Sequence, residues 1–218
     1  MKKGNIIFLF IMLMSAFMAL DASGDEYYDR KVSLFDLLPV GEDDIIFLGN
    51  SITDGGEFSE LLDMEHVKNR GISSDVIDGV KNRLEQVLNG KPAKVFLLIG
   101  INDVSHNLSL ATLTTKYRNL LEEMQRLSPD TQIYVQSIMP INNDFKRYKS
   151  LVGKEQIIVD FNKNIESLCQ EKNIEYINLW TVLADANGKM KRQYTNDGLH
   201  LTGAGYKAWI EVIKEYLK

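Results

Sequence analysis

The sequence predicts an α/β domain built on a parallel five-stranded sheet with helices on both faces. Three observations lead there. Five short, mostly apolar runs recur along the chain, each of strand length. Segments with helical spacing of apolar residues lie between them. Glycines close the early runs, at Gly49, Gly71 and Gly100. Short continuous apolar runs suit strands buried on both faces, and strand–helix alternation is what a parallel sheet requires.

The elements follow in order. The first run is Asp44-Ile45-Ile46-Phe47-Leu48, and the second, less apolar, is Glu65-His66-Val67-Lys68-Asn69. Ser73 or Ser74 can then cap a helix that carries Val76, Val80, Leu84 and Val87 or Leu88 on one side. The third run, Lys94 to Ile99, is the strongest strand. Leu113, Tyr117, Leu120, Leu121, Met124 and Leu127 mark an amphipathic helix, and Pro129-Asp130 turns the chain. Gln132 to Ile138 is the fourth strand, and Ile158, Phe161, Ile165 and Leu168 mark the next helix. Ile174 to Leu179 is the fifth strand. Trp209, Ile210, Val212, Ile213 and Tyr216 are the core-facing residues of the last helix.

The N-terminus reads differently. Lys2 and Lys3 precede a nearly unbroken apolar stretch from Ile6 to Leu20, with small residues at Ala19, Ala22, Ser23 and Gly24. That pattern fits a secretory signal over residues 1–22. It is too short for a comfortable span of about 20 apolar residues, so no stable membrane span is expected after processing. Residues 23–43 form a lead-in, and 44–218 one domain. The destination expected is periplasmic or extracellular.

Composition narrows the partners. The 218 residues carry a net charge of −5 without a basic stripe, which argues against nucleic acid or an anionic membrane. Cys169 is the single cysteine, so an intrachain disulfide and a cysteine-based zinc site are excluded. Its helical surroundings suggest a buried residue.

Ligands bind beyond the carboxyl ends of parallel strands, and the reactive residues gather there. Ser51 follows strand one, Gly71 strand two, Gly100-Ile101-Asn102-Asp103 strand three, and Asp197-Gly198-Leu199-His200 comes after strand five. A serine hydroxyl needs a base to become a nucleophile. Of three histidines, His66 lies early in its strand, away from that edge, and His106 has no acidic partner at a suggestive spacing. His200 has Asp197 three residues before it, placed to accept the Nδ1 proton and leave Nε2 free. Ser51, His200 and Asp197 are therefore the candidate nucleophile, base and acid. Negative charge on a carbonyl oxygen would meet the Ser51 and Gly71 backbone N–H groups and the Asn102 amide. Asp103 can hold its loop by accepting backbone N–H groups. Asn50, His106 and Tyr148 are candidates for substrate contact, Tyr148 from a 139–156 connection able to wall a pocket. The Gly49–Gly56 segment lacks the ending of a phosphate-binding loop, and no Gly-x-Ser-x-Gly occurs.

Together these blocks resemble the SGNH (GDSL-type) hydrolase family over roughly residues 44 to 217. Gly49-Asn50-Ser51-Ile52 is similar to its nucleophile block, with Asn50 where aspartate is usual. Asn69-Arg70-Gly71, Gly100-Ile101-Asn102-Asp103 and Asp197-Gly198-Leu199-His200 match its glycine, Gly-x-Asn-Asp and acid–base blocks. The resemblance implies a three-layer flavodoxin-like sandwich and ester hydrolysis without a metal or cofactor. Ile52-Thr53 and the phrase Asp-Gly-Leu-His-Leu-Thr resemble most the platelet-activating-factor acetylhydrolase-like and carbohydrate-acetylesterase branches. The expected substrate is a small-molecule or glycan ester, acetyl foremost. A lysophospholipase or thioesterase on the same scaffold, or a non-catalytic carbohydrate-binding protein, are the alternatives.

Overall fold

Five strands pair in parallel in the computed structural model, which describes residues 22–217. They are β1 (Ile45–Gly49), β2 (Val67–Gly71), β3 (Lys94–Leu98), β4 (Gln132–Gln136) and β5 (Glu175–Ile177). The order β2-β1-β3-β4-β5 puts β1 inside the sheet, where Ile46, Phe47 and Leu48 are fully buried. The predicted fold class and five-stranded parallel sheet are those observed. Asp44 falls just before β1 and accepts hydrogen bonds from Gly41 N–H and Lys68 Nζ, both 2.6 Å long. β5 is shorter than predicted because Asn178 starts a turn, its Oδ1 accepting Trp180 N–H at 3.0 Å.

Ten helices are described: α1 (Ala22–Asp36), α2 (Ser51–Asp54), α3 (Phe58–Leu62), α4 (Ile77–Asn82), α5 (Leu84–Leu88), α6 (Ile101–Ser105), α7 (Leu110–Leu127), α8 (Glu155–Lys172), α9 (Trp180–Leu183) and α10 (Gly203–Ile213). On one face of the sheet Phe47 stacks on Phe58 of α3 at 3.9 Å and on Phe96 of β3 at 5.1 Å. Trp209 of α10 meets Phe58 edge-on at 5.1 Å. Helices α4, α5, α7 and α8 pack together as a second layer. The apolar stripes of α7 and α8 are buried as their spacing predicts, with Cys169 among them. Burial pushes the Cys169 thiol up to about 12, so it is a core residue rather than a nucleophile. Each such large apolar side chain contributes about 1.5–3 kcal/mol on burial, and the core is continuous across the layers.

One predicted helix changes. The helix expected to start at Ser73 or Ser74 begins instead at Ile77, with Val76 as its cap residue and Ser74 in the left-handed region at φ 67°. It then breaks at Arg83, whose φ of −114° divides α4 from α5. Arg83 turns into the core there. Its Nε donates to Asp75 Oδ2 at 2.9 Å and its Nη2 to the Gly49 carbonyl at 3.1 Å. Burial raises the Asp75 carboxyl and lowers the Arg83 guanidinium, and each opposes the other's shift.

The lead-in, for which the sequence suggested no element, is largely helical and packed on the domain. From α1, Tyr27 Oη and Lys31 Nζ both bond Asp54 at 2.7 Å, and Tyr28 Oη bonds the Gly79 carbonyl at 2.7 Å. Phe35 lies under the Arg70 guanidinium at 4.9 Å. Residues 1–21, and with them nearly all of the expected export signal, lie outside the described residues. No helix among the described residues is long and apolar enough to cross a membrane.

The buried pair gives a test. Arg83→Met leaves Asp75 buried without its cation, and chemical denaturation should show a loss of about 3–5 kcal/mol. The Asp75→Asn/Arg83→Met double variant should recover part of it. A loss below about 1 kcal/mol in the single variant, the size typical of solvated pairs, would contradict this reading.

Candidate active site

In this strand order the chain reverses direction between β1 and β3, and the crevice at their carboxyl ends is the natural ligand site. β1 delivers the chain there. Asn50 follows it as the cap residue, and Ser51 opens α2. Asn50, expected to touch substrate, is instead 1% exposed, and its Oδ1 accepts Ile52 N–H at 3.1 Å. It caps the helix that presents Ser51. As the first residue of α2, Ser51 has an N–H with no acceptor inside that helix.

The turn is held from behind. Asn69 of β2 donates through Nδ2 to the carbonyls of Thr53 and Gly56 at 2.7 and 2.8 Å. Its Oδ1 accepts Gly71 N–H at 2.7 Å. That bond corrects the expectation that Gly71 supplies an oxyanion donor, since its N–H is already engaged. The absent side chain has another use: a Cβ at Gly71 would collide with the Asp54 backbone of α2. Gly71 lets the serine-bearing helix lie directly on β2.

His200 reaches the serine from the far end of the chain. Ser51 Oγ and His200 Nε2 are 2.9 Å apart, and His200 Nδ1 is 2.7 Å from Asp197 Oδ2. A carboxylate only accepts, so Nδ1 carries the proton and Nε2 is the acceptor facing the serine hydroxyl. Asp197 Oδ1 accepts His200 N–H at 2.8 Å and Leu199 N–H at 2.9 Å. Burial works against the Asp197 charge, but these bonds, with those from His200 and Tyr148, hold its carboxyl well below the usual range. Tyr148 Oη lies 2.9 Å from Asp197 Oδ2 and 3.0 Å from His200 Nδ1. The sequence reading gave Tyr148 to the substrate, but its hydroxyl faces the acid–base pair.

Asn102 is the second residue of α6, just after β3, and its Nδ2 donates to the Asp75 carbonyl at 2.8 Å. This holds the Asp75–Val76 peptide against Asn102, with Ser74 one residue before it. Ser74 is exposed, and its N–H makes no hydrogen bond among the described residues. Asp103 is buried and accepts Ile77 N–H at 3.1 Å, as its expected loop-holding role requires. Burial raises its carboxyl to about 6, against the opposing pull of the backbone N–H groups it accepts and of Lys116. His106 ends α6 and is exposed. His66 is a surface residue at the opposite strand edge, its Nδ1 3.7 Å from Asp44. Trp180 is half-buried against the core.

Behind the nucleophile turn, Asn50, Ile52, Ile101, Met139 and Leu199 border a small, mostly apolar recess of about 10 Å³, which no part of the Ser51–His200–Asp197 cluster lines. A groove of about 750 Å³ lies at the other end of the sheet, around Pro129, Gln132 and Asn173. Its size does not make it the site, because no part of the Ser51–His200–Asp197 cluster borders it. Sequence reasoning missed the roles of Asn69, Ser74 and Arg83. The Asn69-Arg70-Gly71 block was visible, but glycine drew the attention that belongs to the asparagine amide.

Residues 47–208 match the GDSL-like lipase/acylhydrolase family. A Streptococcus pneumonia structure described as a platelet activating factor superposes with a TM-score of 0.84 at 27% identity, covering 94% of this chain and 99% of that one. A GDSL-like lipase from Bacteroides thetaiotaomicron shares the fold at TM-score 0.76 and 24% identity, covering 87% and 96%. Among curated proteins, an N-acylneuraminate cytidylyltransferase from Escherichia coli is 26% identical over 183 residues, which are 80% of this chain and 40% of that protein. The chain thus spans well under half the length of that relative. With most of its length matched, the chain belongs to the GDSL-like lipase/acylhydrolase family and is an ester-hydrolysing enzyme.

Proposed function

We propose that the chain is an exported serine esterase that removes small acyl groups, acetyl foremost, from carbohydrate. The observation that carries the reading is the 2.9 Å approach of Ser51 Oγ to His200 Nε2, with Asp197 behind the ring. Ser51 Oγ attacks the ester carbonyl while its proton passes to His200 Nε2. The carbonyl oxygen, now negative, accepts hydrogen bonds from Ser51 N–H, Ser74 N–H and the second Asn102 Nδ2 hydrogen. Ser74 replaces Gly71 because its N–H is free. Collapse breaks the bond to the sugar oxygen, which takes the proton from His200, and leaves an acyl-serine. Water attacks that ester, gives its proton to His200, and releases the acid as Ser51 recovers the proton. Asp197 stays ionised throughout and stabilises the imidazolium.

The small acyl group is supported by the likeness of Ile52-Thr53 and the Asp197–Thr202 phrase to the platelet-activating-factor acetylhydrolase-like and carbohydrate-acetylesterase branches. The sugar is supported by the polar and aromatic 139–156 connection and by the E. coli relative, whose name places an acylated sugar acid among its substrates. Export is supported by Lys2, Lys3 and the apolar stretch after them.

Two outcomes are expected. Ser51→Ala should lose hydrolysis of p-nitrophenyl acetate to background, and Asn102→Ala should lower kcat by about a hundredfold or more, as loss of one oxyanion donor does. Wild-type rates in either variant would contradict the assigned roles. Across p-nitrophenyl esters of rising length, kcat/KM should peak at acetyl. A maximum at eight carbons or more would favour a lipid substrate, and release of acetate from acetylated glycans tests the sugar directly.

A further inference from the structure

We propose that Tyr148 is a fourth member of the catalytic relay, a positioning residue whose hydroxyl holds Asp197 and tunes the base through it. The inference rests on the serine-esterase reading of the site. Its geometry is specific. Nδ1 of His200 already carries a proton, so the phenol cannot donate to it and its hydrogen goes to Asp197 Oδ2, 2.9 Å away. The same phenol oxygen, 3.0 Å from Nδ1, is open to share the imidazole proton. Oδ2 therefore receives both the ring and the phenol, while Oδ1 receives backbone N–H groups. The rings meet edge-to-face at 5.7 Å, so Tyr148 packs on the imidazole as well as bonding its partner. Burial and then the Asp197 hydrogen bond push the phenol up to about 12, which keeps it a donor at any working pH.

The loop that carries Tyr148 is fastened to the segment it serves. Asn142 N–H donates to the Gly198 carbonyl at 2.8 Å, and Asn142 Nδ2 to the Met190 carbonyl at 2.8 Å. Gly198, at φ 92°, approaches Asn142 so closely that a Cβ there would strike its carbonyl. Asn143 Nδ2 ties the loop's far side to the Leu151 carbonyl and Glu155. Tyr148 and Asp197 are thus placed by one bonded unit. Three groups face the acid–base pair: Tyr148 from this loop, the Ser51 hydroxyl from α2, and the Thr195 hydroxyl 3.3 Å from Asp197 Oδ1. Arg147 is the cation acting on the phenol.

A donor to Asp197 draws charge from the carboxylate and so lessens its pull on a second proton at the imidazole. Tyr148→Phe removes that donor while keeping the ring. It should lower kcat roughly tenfold, leave KM within about twofold, and move the acid limb of the kcat/KM profile to higher pH by about half a unit. In a Ser51→Ala background, ¹⁵N NMR of the imidazole should show the same upward displacement on Tyr148→Phe, with no turnover involved. This separates failure of the relay from failure of the esterase reading. A rise in KM with kcat unchanged would make Tyr148 a substrate contact. A fall in kcat with neither the pH limb nor the imidazole titration moved would make it packing alone. Either result overturns the proposal.

Discussion

The turn from β1 into α2 carries the nucleophile, and its hold is the constraint on which the site depends. A hydroxyl at the start of a four-residue helix has little rigidity of its own. Here four side chains from three other places supply it. Asn69 binds carbonyls at the end of the turn, Arg83 binds the Gly49 carbonyl before it, and Tyr27 and Lys31 hold Asp54. Gly71 removes the side chain that would push α2 off the sheet. With the serine fixed at the carboxyl end of β1, the remaining task is to bring an imidazole to it across the sheet.

That task falls to the segment after β5. Asp197 and His200 are three residues apart, and the acid folds the backbone back on itself by accepting the N–H groups of Leu199 and His200. One carboxylate thus shapes the turn and orients the ring. The 139–156 connection adds a second anchor through Asn142 and Gly198. Acid, base and Tyr148 are joined before any substrate arrives, which is the preorganisation that catalysis by fixed groups requires.

Much of this was legible in the sequence. Apolar runs and helical stripes report burial, and burial is what a parallel sheet and its covering helices impose, so Ile45–Leu48 and Leu113–Met124 could be read directly. Ser51, His200 and Asp197 could be read because strand ends collect on one edge. What escaped depends on contacts between distant residues. Nothing local marks Arg83 as turning inward to meet Asp75 and Gly49, or Asn69 as the clamp in a block where glycine stands out. α1 escaped because it docks by the tips of Tyr27, Tyr28 and Lys31 rather than by an apolar stripe. Gly71 was assigned a donor that Asn69 already takes, and Asn50 a substrate contact that its helix-capping bond removes.

The most direct measurement is reaction of the folded protein with a fluorophosphonate probe, read by intact mass and peptide mapping. A serine activated by His200 and Asp197 should take one label, on the peptide containing Ser51, and His200→Ala should abolish it while leaving the protein folded. No labelling of the folded wild type, or a label on any other residue, would contradict the account.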